Sequence, residues 1–154
     1  MTTKDSNPKQ RLGIRKAPIT NVPMNVIAEV GLGMMEGGCK YGTHNYRAVG
    51  VRASTYVDAV WRHLFLQWWE GENIDQESGL NHVSKAIASL VVLRDSMMMN
   101  NWVDDRPYKH PENHTVAMNE HASKLVDRYP NPVPGFIEAE KPQQNEKETL
   151  EKKS

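Results

Sequence analysis

The sequence predicts an all-α fold, a small helical bundle built on an antiparallel helical hairpin. Three segments repeat apolar residues at three- and four-residue steps, no region carries the alternation of β-strands, and Gly- and Pro-containing polar stretches separate the periodic segments. The chain has 154 residues, enough for one domain with a small appendage. Hydrophobic residues make up 38% and the mean hydropathy is −0.67, so the ordered part must be richer than the average. Residues 1–20 read as a flexible N-terminal arm, 21–140 as the folded domain, and 141–154 (KPQQNEKETLEKKS) as a disordered tail whose single leucine cannot offset the ordering entropy.

The first helix is expected from about residue 23 to 39, with Val26, Ile27, Val30, Met34 and Met35 at helical spacing, Asn21 as its cap and Pro23 in its first turn. Gly31, Gly33, Gly37 and Gly38 weaken it and point to close packing or a bend, and Gly42 marks the exit. The second helix runs from about 55 to 70, capped by Ser54, with Val57, Val60, Trp61, Leu64, Phe65 and Trp68 as a broad apolar stripe that makes the tryptophans core or interface residues. At 100° per residue, His63 and Glu70 fall about 20° apart on one flank. The third helix starts near Gly79 and ends near Met99, carrying Leu80, Val83, Ile87, Leu90, Val91 and Met98, with Ala86 and Ala88 permitting a close neighbour. A short connection folds it back on the second. A fourth, weaker helix is expected over residues 114–128, ended by Tyr129 and the prolines at 130, 132 and 134.

Charge and cysteine content exclude several function classes. Nineteen basic and nineteen acidic residues give zero net charge, so nothing drives non-specific nucleic-acid binding, and no nucleic-acid partner is expected. The one cysteine, Cys39, excludes an internal disulfide framework and a multi-cysteine zinc site and reads as a small buried side chain. No membrane span or signal peptide is expected, which gives a cytoplasmic location.

Two segments carry chemistry. Residues 61–82, WRHLFLQWWEGENIDQESGLNH, put Glu70, Glu72, Asp75, Glu77, His63 and His82 around the hairpin bend, with Asp58 upstream. Such an oxygen-rich set suits Mg²⁺ or Mn²⁺, hard cations that keep waters for phosphate substrates. The alternatives are a solvated acidic loop, a half-buried hydrogen-bonded His63, and a Glu77 that only complements a helix N-terminus. Residues 36–47, EGGCKYGTHNYR, supply Lys40, Tyr41, His44, Asn45 and Arg47, able to meet phosphate oxygens, a sugar and a base edge. They form no P-loop, and ordinary surface polar residues at a helix end are the alternative. Glu36 lies where a helix C-terminus disfavours an anion, which a bound cation would relieve. Trp69 turns away from the apolar stripe and is placed to stack on a base.

The runs EVGLGMMEGGCKYGTHNYR and YVDAVWRHLFLQWWEGENIDQESGLNHVSKAIASLVVLRD resemble the phage-encoded, MazZ-like dATP/dGTP diphosphohydrolases, relatives of the MazG-like all-α nucleotide pyrophosphohydrolases. The resemblance spans about half the chain, residues 22–99. It implies a homodimeric or homotetrameric helical enzyme whose carboxylates bind a divalent metal and split a purine deoxynucleoside triphosphate, dGTP or dATP, into monophosphate and pyrophosphate. In phages that replace adenine by 2-aminoadenine, the dGMP formed would feed that synthesis. The superfamily pattern, ExxE followed by ExxD on facing helices, is not reproduced: no ExxE lies within the helices, and ExxD occurs only as Glu72 and Asp75 at the bend. Local geometry therefore assigns the ligand candidates, Glu36, His63, Glu70, Asp75 and His82. Glu70, Glu72 and Glu77 are the catalytic candidates, the last two to orient the attacking water. Lys40, Tyr41, Asn45, Arg47 and Trp69 are the substrate-binding candidates, with Lys40 and Arg47 on the outgoing pyrophosphate. The rival reading is a non-enzymatic oligomeric helical protein whose tryptophans form a subunit interface.

Overall fold

A computed structural model describes residues 8–13 and 15–137. It is mostly helical, with one very small sheet, and divides after Pro107 into two compact units. The tail expected from Lys141 lies outside the described residues, as do residues 1–7 of the arm. What is described of the arm contains a short helix α1 (Pro8–Gly13) and a 3₁₀ turn (Ile19–Asn21).

Helix α2 (Met24–Tyr41) starts at Pro23 without a side-chain cap. Asn21 is spent in the preceding 3₁₀ turn, so the cap expected there does not form. The exit at Gly42 does form: φ is +95°, a conformation only glycine adopts freely, and its N–H bonds the Gly38 carbonyl at 2.9 Å. A five-residue helix α3 (Asn45–Val49) follows, then strand β1 (Val51–Arg52), helix α4 (Ala53–Trp61), helix α5 (His82–Met98) and strand β2 (Trp102–Val103).

Sequence periodicity did not reveal the strands, which are only two residues each. They pair in parallel, Val51 with Trp102 and Arg52 with Val103. Asn101 pins this corner: its side-chain amide donates to the Arg47 carbonyl at 2.8 Å, and its backbone N–H to Ser96 O at 2.9 Å. The approach is so close that a Cβ on Gly50 would lie 2.7 Å from Asn101 Oδ1.

Helix α4 begins at Ala53, two residues before the expected start, and Ser54 does not cap it. Ser54 sits in the first turn, donating from its N–H to Asp105 Oδ1 (2.9 Å) and from its hydroxyl to Asp105 Oδ2 (2.5 Å). A carboxylate from beyond β2 thus satisfies an open N–H that the helix cannot. After Trp61 the helix continues as a π-helix (Arg62–Trp68), with i→i−5 bonds from Trp69 N to Leu64 O and from Glu72 N to Gln67 O. This unwinding ends the 3.6-residue phase on which the shared flank of His63 and Glu70 rested.

Helix α5 is capped by Asn81, whose Oδ1 accepts from Val83 N at 2.8 Å, rather than starting near Gly79. It packs against α2, α4 and the π-helical stretch. Its buried residues, His82, Ser84, Ala86, Ala88, Val92 and Ser96, are small or polar, because a helix crowded on several sides must let its neighbours come close. A Cβ on Gly33 of α2 would stand 3.2 Å from that of Ala88. The larger apolar cluster, Tyr46, Val51 and Val92 with Met34, Tyr56, Leu93 and Trp102 around it, fills the end near the strands.

Trp61, Trp68 and Trp69 are not core residues of the first unit. Trp61 is 56% exposed and Trp68 39%, and Cys39, expected to be buried, is exposed as well. In the second unit, helix α6 (His114–Arg128) has the expected bounds and no buried residue.

Candidate metal and nucleotide site

Two chain segments meet at the acidic bend. Glu36 comes from the last half of α2, while Asp75 and Glu77 come from the loop between the π-helix and α5. That loop is folded on itself: Asp75 N bonds Leu80 O (2.9 Å), His82 N bonds Asn73 O (3.1 Å), and Asp75 Oδ2 accepts from both the N–H (3.0 Å) and the hydroxyl (2.5 Å) of Ser78. Glycines at 71 and 79, both with positive φ, make the two reversals. One carboxylate oxygen from each of Glu36, Asp75 and Glu77 lies within 4.8 Å of the others. An all-oxygen set of this kind could hold a hard divalent cation.

Two lysines interleave with these carboxylates. Lys40 Nζ is 2.7 Å from both Glu36 Oε1 and Glu77 Oε1. Lys85 Nζ, from the first turn of α5, is 2.7 Å from Asp75 Oδ2, 3.2 Å from Glu36 Oε2 and 3.1 Å from Ser78 Oγ. Burial alone would raise the Asp75 carboxyl, but the hydrogen bonds from Lys85 and Ser78 outweigh it and hold the group far below its ordinary 3.8. Glu36 is lowered in the same way, burial opposing and the two lysines prevailing. Hydrogen bonds to Glu36 and then Glu77 push Lys40 well above the usual lysine value. Lys85 is raised by Asp75 and Glu36 against the opposing effect of its burial. Glu36, Asp75, Lys40 and Lys85 are therefore ionised at neutral pH.

The histidines expected as ligands form a neighbouring pair. His63 Nδ1 and His82 Nδ1 are 2.9 Å apart, one donating and the other accepting. His82 is fully buried, and its Nε2 has no hydrogen-bond partner, with Glu72 Oε1 3.9 Å away. Burial, then the charge of Lys85 and of His82, lowers His63 below 6.5. Glu70, on the turn after the π-helix, is exposed and is not one of the three converging carboxylates.

Beside the acidic group lies a cavity of about 580 Å³ whose lining includes Glu36, Lys40, Tyr41, Asn45, His63 and Lys85, a size that suits a small-molecule ligand. Of the expected substrate contacts, Lys40, Tyr41 and Asn45 reach it. Arg47 is instead committed to Asp95 through Nε (2.7 Å) and Nη2 (2.9 Å). Trp69, 71% exposed, lies edge-on to Trp68 and does not line the cavity. Sequence reasoning did not single out Lys85, and it named Glu77 to orient the attacking water rather than as a ligand. A lysine four residues after the Asn81 cap carries no motif, and its role depends on the loop folding back over α5.

A family model described as dATP/dGTP diphosphohydrolase, N-terminal, matches residues 6–106. The match ends one residue before the close of the first compact unit and takes in every residue of the acidic group and the cavity. No curated protein and no solved structure matches significantly. With about two thirds of its length covered by that model, the chain belongs to the dATP/dGTP diphosphohydrolase N-terminal family, a family of hydrolases.

Proposed function

We propose that this chain is a metal-dependent pyrophosphohydrolase that converts purine deoxynucleoside triphosphates, dATP and dGTP, into the monophosphate and pyrophosphate. The observation that carries the reading is the convergence of Glu36, Asp75 and Glu77 within 4.8 Å of one another, with Glu36 also lining a cavity of about 580 Å³. These three carboxylates would hold Mg²⁺ or Mn²⁺, which supplies charge neutralisation on the triphosphate and a polarised water. Lys40 reaches the same place and would meet the phosphate oxygens of the leaving pyrophosphate, while Lys85 would hold Asp75. Glu72, not part of the triad and 41% exposed, would take the proton of the attacking water as the bond from the α-phosphorus to the bridging oxygen breaks. Tyr41 and Asn45 offer a stacking face and hydrogen-bonding groups for the base.

The partly exposed apolar stripe of α4 and the π-helix, Val57, Trp61, Phe65 and Trp68, supports a homodimer or homotetramer. Helix α4 with its π extension and α5 would form the antiparallel hairpin of each subunit. No helix among the described residues is long and apolar enough to cross a membrane, and a cytoplasmic site of action fits the nucleotide pool as substrate. In a 2-aminoadenine phage, the dGMP released would enter that pathway.

The test is a chromatographically resolved panel of the four dNTPs and four NTPs with Mn²⁺, run beside Asp75→Asn and Glu70→Gln. Conversion of purine dNTPs to monophosphate plus pyrophosphate, lost in Asp75→Asn, is the expected result. No turnover of any triphosphate overturns the reading.

A further inference from the structure

Within the acidic group the two lysines are not equivalent. Lys40 Nζ stands 2.7 Å from one oxygen of Glu36 and 2.7 Å from one of Glu77, directly between two of the three converging carboxylates. Carboxylate oxygens bind Mg²⁺ at about 2.0–2.1 Å, so a cation held by both would occupy the ammonium's own position. Lys85 is held chiefly by Asp75 Oδ2 at 2.7 Å, with Glu36 Oε2 at 3.2 Å, Glu36 Oε1 at 3.5 Å and Ser78 Oγ at 3.1 Å. Its side chain is 13% exposed, against 37% for Lys40. Lys40 thus has room to leave, and Lys85 does not.

We propose that Lys40 is a resident stand-in for the metal: it holds Glu36 and Glu77 together in the metal-free protein and, when a divalent cation enters, swings out into the cavity as the ammonium that meets the triphosphate. Lys85 stays in place as the fixed counter-charge of Asp75. The charges make the exchange directional. Three carboxylates against two ammoniums leave the group one negative charge, which attracts a cation. Adding a divalent ion leaves one positive charge, which attracts a polyanion. Without Lys40 and Lys85 the three carboxylates would repel one another before metal arrived. This inference rests on the proposed metal site and adds to it an order of events, metal first and then a lysine released for substrate.

The experiment is limited reductive methylation of the full chain with and without saturating Mg²⁺, read lysine by lysine by peptide mass spectrometry, with calorimetry on the same samples to record Mg²⁺ binding. An ion-paired ammonium reacts slowly and a released one fast. The expected result is a several-fold faster modification of Lys40 on adding Mg²⁺, with Lys85 unchanged. In Glu36→Gln, which removes one of the two carboxylates holding it, Lys40 should already react fast without metal. Mg²⁺ binding by calorimetry with no change at Lys40 would overturn the exchange and leave the metal site standing. Absence of any Mg²⁺ binding would overturn the metal site and the exchange together. Lys40→Gln gives an independent reading: Mg²⁺ should bind several-fold more tightly while kcat/KM for dATP falls, opposite signs that a merely structural lysine does not produce.

Discussion

Helix α5 buries His82, Ser84 and Ser96, whereas residues 61–69 just before the bend leave Trp61, Phe65, Leu66 and Trp69 between 46% and 71% exposed. The two regions are connected by the acidic loop and pack on each other, yet the polar one is inside and the aromatic one outside. Position explains this. Helix α5 is touched by α2, α4 and the π-helix, so its surface must be small; Ser84 finds a partner in Glu29 and His82 Nδ1 one in His63, while Ser96 Oγ and His82 Nε2 are left without a hydrogen bond. The aromatic segment has neighbours on one side only. Its outer face is exposed among the described residues, as the proposed subunit contact would require.

That contrast can be tested, and the largest effect should come from the polar side. Asp75→Asn removes a carboxylate on which Lys85, Ser78 and the proposed metal converge. Purine dNTP hydrolysis should fall by about 100-fold or more, while Trp69→Ala, on the aromatic side, leaves the rate within a few-fold. A steady-state assay of pyrophosphate release decides this, and equal losses would erase the distinction.

Packing comes next. Gly33→Leu forces a side chain against Ala88 and should destabilise the fold by about 1–3 kcal/mol in urea unfolding. Gly31→Ala, where an added Cβ meets nothing within 4 Å, should instead stabilise by about 0.4–1 kcal/mol. The opposite signs, two residues apart on α2, would locate the buried face of that helix.

Acid should weaken the polar side in two steps. The His63 imidazole is lowered below 6.5 in the folded chain. The unfolded chain therefore binds the extra proton first, and stability declines as pH falls from 6.5 toward the folded value. The Asp75 carboxyl is held below 3.8, so its contribution is complete above 3.8 and is lost as pH falls through the lower folded value. Urea midpoints measured across pH should show His63→Gln flattening the first decline and Asp75→Asn the second. Unchanged profiles would remove both groups from the acid response.

A smaller effect is expected at the helix cap. Asn81→Ala deletes the acceptor for Val83 N and should cost about 1 kcal/mol, enough to be resolved by the same unfolding measurement. Smallest for the isolated chain is Trp69→Ala, which should change monomer stability by no more than about 0.5 kcal/mol. Sedimentation of Trp61→Ala and Trp68→Ala would show whether the exposed stripe holds subunits together.

The sequence by itself determined the long helices α2, α5 and α6 and closely where they stop. The period of α2, α5 and α6, the Gly42 exit and the acidic composition of the bend are local properties, and local spacing reports them faithfully. It also carried the family, because the runs around residues 29–47 and 56–95 are contiguous. Tertiary structure decided the rest. The π-helical unwinding of Arg62–Trp68 broke the seven-residue phase between His63 and Glu70 and paired His63 with His82 instead. Asp105, not Ser54, satisfies the start of α4 from 51 residues away. Glu77 and Lys85 join Glu36 only because the loop folds back over α5 and α2 packs beside it. Periodicity records which residues share a face of one helix. Which carboxylates share a cation depends on distances between elements far apart in the chain, and those exist only once the elements have packed.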